Sequence, residues 1–137
     1  MRASAFCPGH VSCVFQPHRT EDPLRSGSRG IGFCLDMGAR AVVEEVDGLH
    51  ITVNGVAEDA VVTSEALRLM GADDVLVRVE TELPVSQGFA MSAAGTVAAC
   101  LAVASMRGSD SETAFRAAHL AELKEGGGMG DVLGIMA

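Results

Sequence analysis

The chain has 137 residues, 48% of them apolar and 20% charged, with a formal net charge of −8. That length fits one domain able to bury roughly two thirds of its unfolded surface, and the apolar share excludes a disordered chain. An acidic balance without a basic run argues against a general nucleic-acid or anionic-membrane binder, and the absence of Trp and Tyr removes the usual stacking platforms for single strands.

The remaining class is a soluble, Gly- and Ala-rich domain with small partners. In chain order, strands are predicted at Ala3–Cys7 and His10–Phe15. Cys7, His10 and Cys13 make a C-x2-H-x2-C spacing, but no CxxC or HxxxH follows to complete a tetrahedral zinc site. The thiols, with Cys34 and Cys100, read instead as small apolar groups of a strand-rich core in a reducing compartment. No apolar h-region marks a secretory signal, so the expected location is cytoplasmic.

Next comes a loop, Asp22-Pro-Leu-Arg-Ser-Gly-Ser-Arg-Gly-Ile-Gly32, in which Arg25, Ser28 and Arg29 could meet a carboxylate. Gly27–Gly32 reads as a glycine-rich connection. Strands are predicted at Gly32–Leu35, Ala41–Val46 and His50–Val53, then a helix at Val61–Met70 stopped by Gly71. The clearest strand is Val75–Thr81, with Val75, Val77 and Val79 on one face.

Leu83 to Met106 holds no charge, yet Ala, Ser, Gly and Thr dominate it, which points to a buried helix and not a membrane span. Its first part, Pro84 to Gly95, reads as strand end, Gly-bearing loop and Ala-rich helix beginning near Ser92. Such a turn suits phosphate: amide N–H groups converge at the helix start and Gly88 lets backbone approach a ligand. The plainer alternative makes Ser92 a simple cap. Neither a Walker A nor a GxGxxG fingerprint is present. The helices are expected at Ser92–Met106 and Ser111–Leu123, the latter capped by Ser109 or Ser111. His119 and Glu122, three apart, share a face of it. Gly126–Gly130 is then a second glycine-rich connection, delivering Asp131, a carboxylate suited to Mg²⁺ or to accepting a hydroxyl proton. The apolar run Val132–Ala137 looks like an element just beginning, as in the front part of a longer chain. No internal repeat is present, and strands mostly precede helices, so the fold class is α+β.

Together, Ala5-Phe-Cys-Pro-Gly-His10, the Asp22–Gly32 loop, the Pro84–Gly95 loop and Ala118–Asp131 resemble the first half of the GHMP small-molecule kinases, and within them the archaeal pantoate kinases. Four motifs in the right order, over nearly the whole chain, carry the resemblance. It implies a ribosomal protein S5 domain 2-like fold, with residues 1–137 as the N-terminal ATP-binding domain and the C-terminal domain absent. The function implied is ATP-dependent phosphorylation of the pantoate hydroxyl to 4-phosphopantoate in coenzyme A biosynthesis, with ATP and Mg²⁺ as cofactors. The resemblance also assigns roles. Pro84, Gly88, Phe89, Ala90, Met91, Ser92 and Ala93 would form the ATP phosphate cradle, Ser92 and Glu122 would hold Mg²⁺, and Asp131 would be the catalytic base. Pantoate would meet Ser28, His119 and His10, with Arg25 or Arg29 near its carboxylate.

Departures stand out. Ala90 and Ala93 occupy positions usually held by Gly, and Gly128-Met129-Gly130 stands for Gly-Leu-Gly. The family's members run to about twice this length, which keeps a catalytically silent nucleotide-binding fragment open as an alternative, beside another GHMP kinase such as a shikimate or homoserine kinase. Neither nucleic acid nor membrane is an expected partner, and because family members are often dimeric a homodimer is one assembly the resemblance allows.

Overall fold

A computed structural model describes residues 1–125 and 131–136. Gly126–Gly130, singled out above as a connection, lie outside the described residues, and so does the side chain of Asp131.

The chain opens with two long antiparallel strands, β1 (Arg2–His18) and β2 (Gly27–Glu45), joined through a short 3-10 turn at Pro23–Arg25. β3 (His50–Val53) and β4 (Val56–Ala57) form a tight hairpin, followed by helix α1 (Val61–Leu69), β5 (Val75–Thr81), and helices α2 (Met91–Arg107), α3 (Ser111–Lys124) and α4 (Asp131–Met136). The sheet order is β1-β2-β5-β3-β4, antiparallel except between β3 and β5. The mixed α+β architecture is the one expected.

Period-two patterning gives the sheet one dry face. Ala39, Ala41 and Val43 of β2 and Val75, Val77 and Val79 of β5 are buried, while Arg40, Arg78 and Glu80 point the other way. The helices cover that dry face. Thirteen residues of α2 are buried, six of them Ala and one Gly, and these small side chains let the helix lie close on the strands. A Cβ placed on Gly95 would sit 3.2 Å from Val79 Cγ1, so the uncharged stretch is a core helix pressed against the sheet. Among the described residues no helix is long and apolar enough to cross a membrane.

Several local expectations are corrected. Gly27–Gly32 is not a connection but the start of β2, paired residue by residue with His18–Ser12. The glycines serve close approach there: a Cβ on Gly30 would lie 2.1 Å from the Val14 carbonyl oxygen. The separate strands at Ala3–Cys7 and His10–Phe15 are one bent strand with register shifts at Pro8/His10 and Ser12/Val14. α3 is capped by Asp110, whose carboxylate accepts from Thr113 N–H at 2.9 Å and from its hydroxyl at 2.6 Å, and not by Ser109 or Ser111. Only Cys7 and Cys100 are buried, and burial pushes both thiols up to about 12, whereas Cys13 and Cys34 are exposed. The picture of four core thiols therefore holds for two.

Candidate functional site: two clefts on either side of α4

The loop after β5 runs through Ser86 (φ 62°), Gly88 (φ 86°) and Ala90 (φ 56°), three left-handed residues that turn the chain sharply into α2. Ala90 is the cap of that helix and has no side chain to cap with, so no side-chain hydrogen bond closes its N-terminus. The first intrahelical bond runs from Ala94 N–H to the Ala90 carbonyl at 2.8 Å, which leaves the preceding N–H groups without helical partners. Ser92 is exposed and is the second helical residue rather than the cap.

This uncapped end opens into a cleft of about 330 Å³ walled by Ser86, Gly88, Ala90–Ala93, Thr96, Glu122 and Val132. The helix dipole and the open N–H groups favour an anion there. Across the cleft Glu122 is buried on α3, and its Oε2 accepts from Val132 N–H at 3.3 Å, tying α3 to the start of α4. Below the cleft floor, the Thr96 hydroxyl reaches the Ser92 carbonyl at 3.1 Å and the Thr63 hydroxyl at 2.8 Å. If Thr96 donates to the carbonyl, Thr63 must donate to Thr96, so α1 is pinned to α2 beneath Ser92.

Of the residues predicted for the phosphate cradle, Gly88, Ala90, Met91, Ser92 and Ala93 line this cleft together with Glu122. Pro84 and Phe89 do not line it. Phe89 instead accepts, at its carbonyl, the His10 N–H at 3.0 Å. Val62, Ser86 and Thr96 belong to the wall and were missed. Thr96 was legible, one helical turn beyond Ser92.

A second cleft, about 340 Å³, opens on the β1–β2 hairpin between His10, Ser12, Val14, Phe15, Ser28, Ile31 and Gly134. Two predicted substrate residues, His10 and Ser28, meet here. The other three do not. Arg25 sits in the 3-10 turn with its guanidinium 3.9 Å from Asp22, and Arg29 is exposed on β2 opposite Gln16. The expected single loop carrying Arg25, Ser28 and Arg29 is therefore split between a turn and a strand. His119 is buried, and its Nε2 donates to the Ser26 carbonyl at 2.9 Å, fastening the turn to α3 outside both clefts. Because a carbonyl only accepts, Nε2 carries the proton in that bond. Ser26 had gone unnoticed in the sequence, since only its backbone does this work.

α4 stands between the clefts, with Val132 in the wall of one and Gly134 in the wall of the other. Asp131 is its first residue.

The GHMP kinases N terminal domain family matches residues 47–137. The chain belongs to the GHMP kinase family. Over its whole length it is 33% identical to a pantoate kinase of Thermococcus kodakarensis, and over 96% of it 35% identical to a pantoate kinase of Methanospirillum hungatei. It spans about half the length of these curated relatives, 50% and 49% respectively. A solved phosphotransferase related to the CoA biosynthesis pathway superposes with a TM-score of 0.91 at 32% identity, covering all of this chain and 50% of that one. A homoserine kinase from Cytophaga hutchinsonii, at 21% identity and a TM-score of 0.67, shares the fold. In this GHMP kinase chain residues 1–46 lie outside the family match, although the pantoate kinase of T. kodakarensis aligns with them.

Proposed function

We propose that residues 1–137 form the ATP-binding domain of a pantoate kinase, which moves the γ-phosphoryl group of ATP to the pantoate hydroxyl and yields 4-phosphopantoate and ADP. The observation that carries the reading is the placement of α4 between an anion-favouring cleft and a hydroxyl-lined one. Phosphoryl transfer depends mainly on positioning and charge neutralisation, so two adjoining clefts with a carboxylate-bearing helix between them suit it.

The residues fit MgATP. The open N–H groups at the start of α2 receive phosphate oxygens, with Gly88–Ala93 as the cradle. Ser92 and Glu122 face one cleft and offer a hydroxyl and a carboxylate, which matches the habit of Mg²⁺ to take one or two protein oxygens beside phosphate. Bound there, Mg²⁺ supplies neutralisation of the phosphate charge. Asp131 takes the proton from the attacking hydroxyl as the oxygen–phosphorus bond forms.

The hairpin cleft fits the acceptor. Pantoate combines hydroxyls and a carboxylate with a gem-dimethyl carbon, and the cleft combines His10, Ser12 and Ser28 with Val14, Phe15 and Ile31. Polar groups orient the acid while the apolar ones face the methyls. Shikimate and homoserine carry no such branched apolar centre, so they leave Val14 and Ile31 against polar groups. His119 and Arg25 act from outside this cleft, His119 by holding the Ser26 turn.

A second reading is a domain that binds MgATP without turning over. A coupled assay of ADP release with pantoate, shikimate and homoserine decides between them. The main reading predicts turnover with pantoate in strong preference, and a fall in kcat of about 10²-fold or more in Asp131→Asn with MgATP binding nearly intact. Comparable kcat/KM for shikimate would remove the pantoate assignment. MgATP binding without any turnover would support the second reading.

A further inference from the structure

At Pro8–Gly9–His10 the β1 strand breaks register with β2, and the His10 N–H leaves the ladder to donate to the Phe89 carbonyl of the phosphate loop at 3.0 Å. Gly9 makes this contact close: a Cβ there would lie 2.9 Å from the same carbonyl and 2.6 Å from Met91 Cε. The imidazole of the same residue points the other way, into the wall of the hairpin cleft. It occupies a slot between two glycines. A Cβ on Gly32 would stand 2.6 Å from His10 Cε1, and one on Gly134 would stand 2.7 Å from His10 Nε2. Only 8% of His10 is exposed, and its Nδ1 has no hydrogen-bond partner among the described residues. The slot is thus shaped by packing and leaves the ring without a fixed polar anchor.

We infer that His10 is a positioning residue that couples the two clefts: its ring senses occupation of the hairpin cleft and its backbone passes that to the phosphate loop. The inference rests on the assignment of pantoate and MgATP to these clefts. With the hairpin cleft empty, van der Waals contact alone holds the ring between β2 and α4. A hydroxy acid seated beside Ser12 and Ser28 presses on the ring and fixes it. Ring and N–H share one Cα, so a ligand that presses on the ring bears also on the donor to Phe89 and, through it, on the loop that leads to the open helix end. By linkage, whatever tightening the acid gives the nucleotide, the nucleotide gives the acid by the same factor.

The test is calorimetry of MgATP binding to the whole chain with and without saturating pantoate. Wild type should bind MgATP at least about 5-fold more tightly with pantoate present, within the usual span of coupling between sites. His10→Ala keeps the backbone donor, and its MgATP affinity is compared with and without pantoate at a concentration that a separate titration shows to saturate the variant. Its tightening by pantoate should fall below about 2-fold, where a merely structural residue would lower both affinities. Gly134→Ala, which pushes the ring from its slot, should lose the tightening with His10 still in place. If His10→Ala keeps the wild-type tightening, or wild type binds both ligands independently, the coupling role is wrong and the functional reading stands. If wild type binds neither ligand, both are wrong.

Discussion

Ala90 holds a left-handed backbone (φ 56°, ψ 33°) at the start of α2, a region that favours glycine. A Cβ in that region costs about 1 kcal/mol or more. Gly88, at φ 86°, has nothing within 4 Å of the position a Cβ would take, so its need for glycine comes from the backbone angle and not from space within the protein. Opposite effects follow from the two neighbours. Ala90→Gly should raise stability by about 1 kcal/mol, and Gly88→Ala should lower it by about the same amount, both measured by thermal unfolding. A stabilised Gly88→Ala would contradict the account of the loop. The motif made the Pro84–Gly95 segment legible as a strand end, turn and helix. The identity of the cap was not, because Ser92 is the common capping type and nothing in the sequence says that Ala90 accepts a strained angle instead. Likewise His119 was read by its side chain's chemistry, whereas its bond to the Ser26 carbonyl depends on a turn 93 residues away.

Between elements, α1 and α3 are joined at Glu65. Its carboxylate is buried against Lys124 Nζ at 2.7 Å and Arg68 at 3.2 Å. The hydrogen bond from Lys124 holds the Glu65 carboxyl below its ordinary range, and the same bond holds the Lys124 ammonium above its own. A depressed carboxylate stabilises the fold above its unfolded pKa and loses that contribution as pH falls through the folded value. The stability difference between wild type and Glu65→Gln should therefore be full near pH 7 and shrink between about pH 5 and pH 3. Unfolding midpoints measured across that range check it, and a gap independent of pH would exclude the ion pair as its source. Glu44, lowered by its hydrogen bond with Arg78, and Asp110, lowered by Thr113, add to the acid slope in both proteins. At this scale the helices and β5 were readable from apolar period alone. The β3–β4 hairpin was also readable and was missed: Asn54-Gly55, at φ 51° and 84°, is the two-residue turn between Thr52-Val53 and Val56-Ala57. The unity of β2 was not readable. Glycines at 27, 30 and 32 look like a flexible connection until the partner strand that crowds them is known.

Across the whole molecule, one sheet face is covered by helices and the two clefts open where α2, α4 and the β1–β2 hairpin meet. Pattern alone gave the order of these pieces, and the family resemblance gave the chemistry of each. Neither gave the division into two clefts, which arises because β1 bends at Gly9 and touches both the loop before α2 and α4. The cleft between the start of α2 and Glu122 is the proposed MgATP site. Isothermal titration of MgATP into the chain tests it most directly, with Ser92→Ala and Glu122→Gln beside wild type. Gln keeps the acceptor for Val132 N–H but removes the charge, so the fold is retained while the metal site is weakened. Wild type should show a single site, both variants weaker binding, and Glu122→Gln a partial recovery of affinity as Mg²⁺ is raised. No binding at millimolar MgATP, or equal affinity in all three proteins, would contradict it.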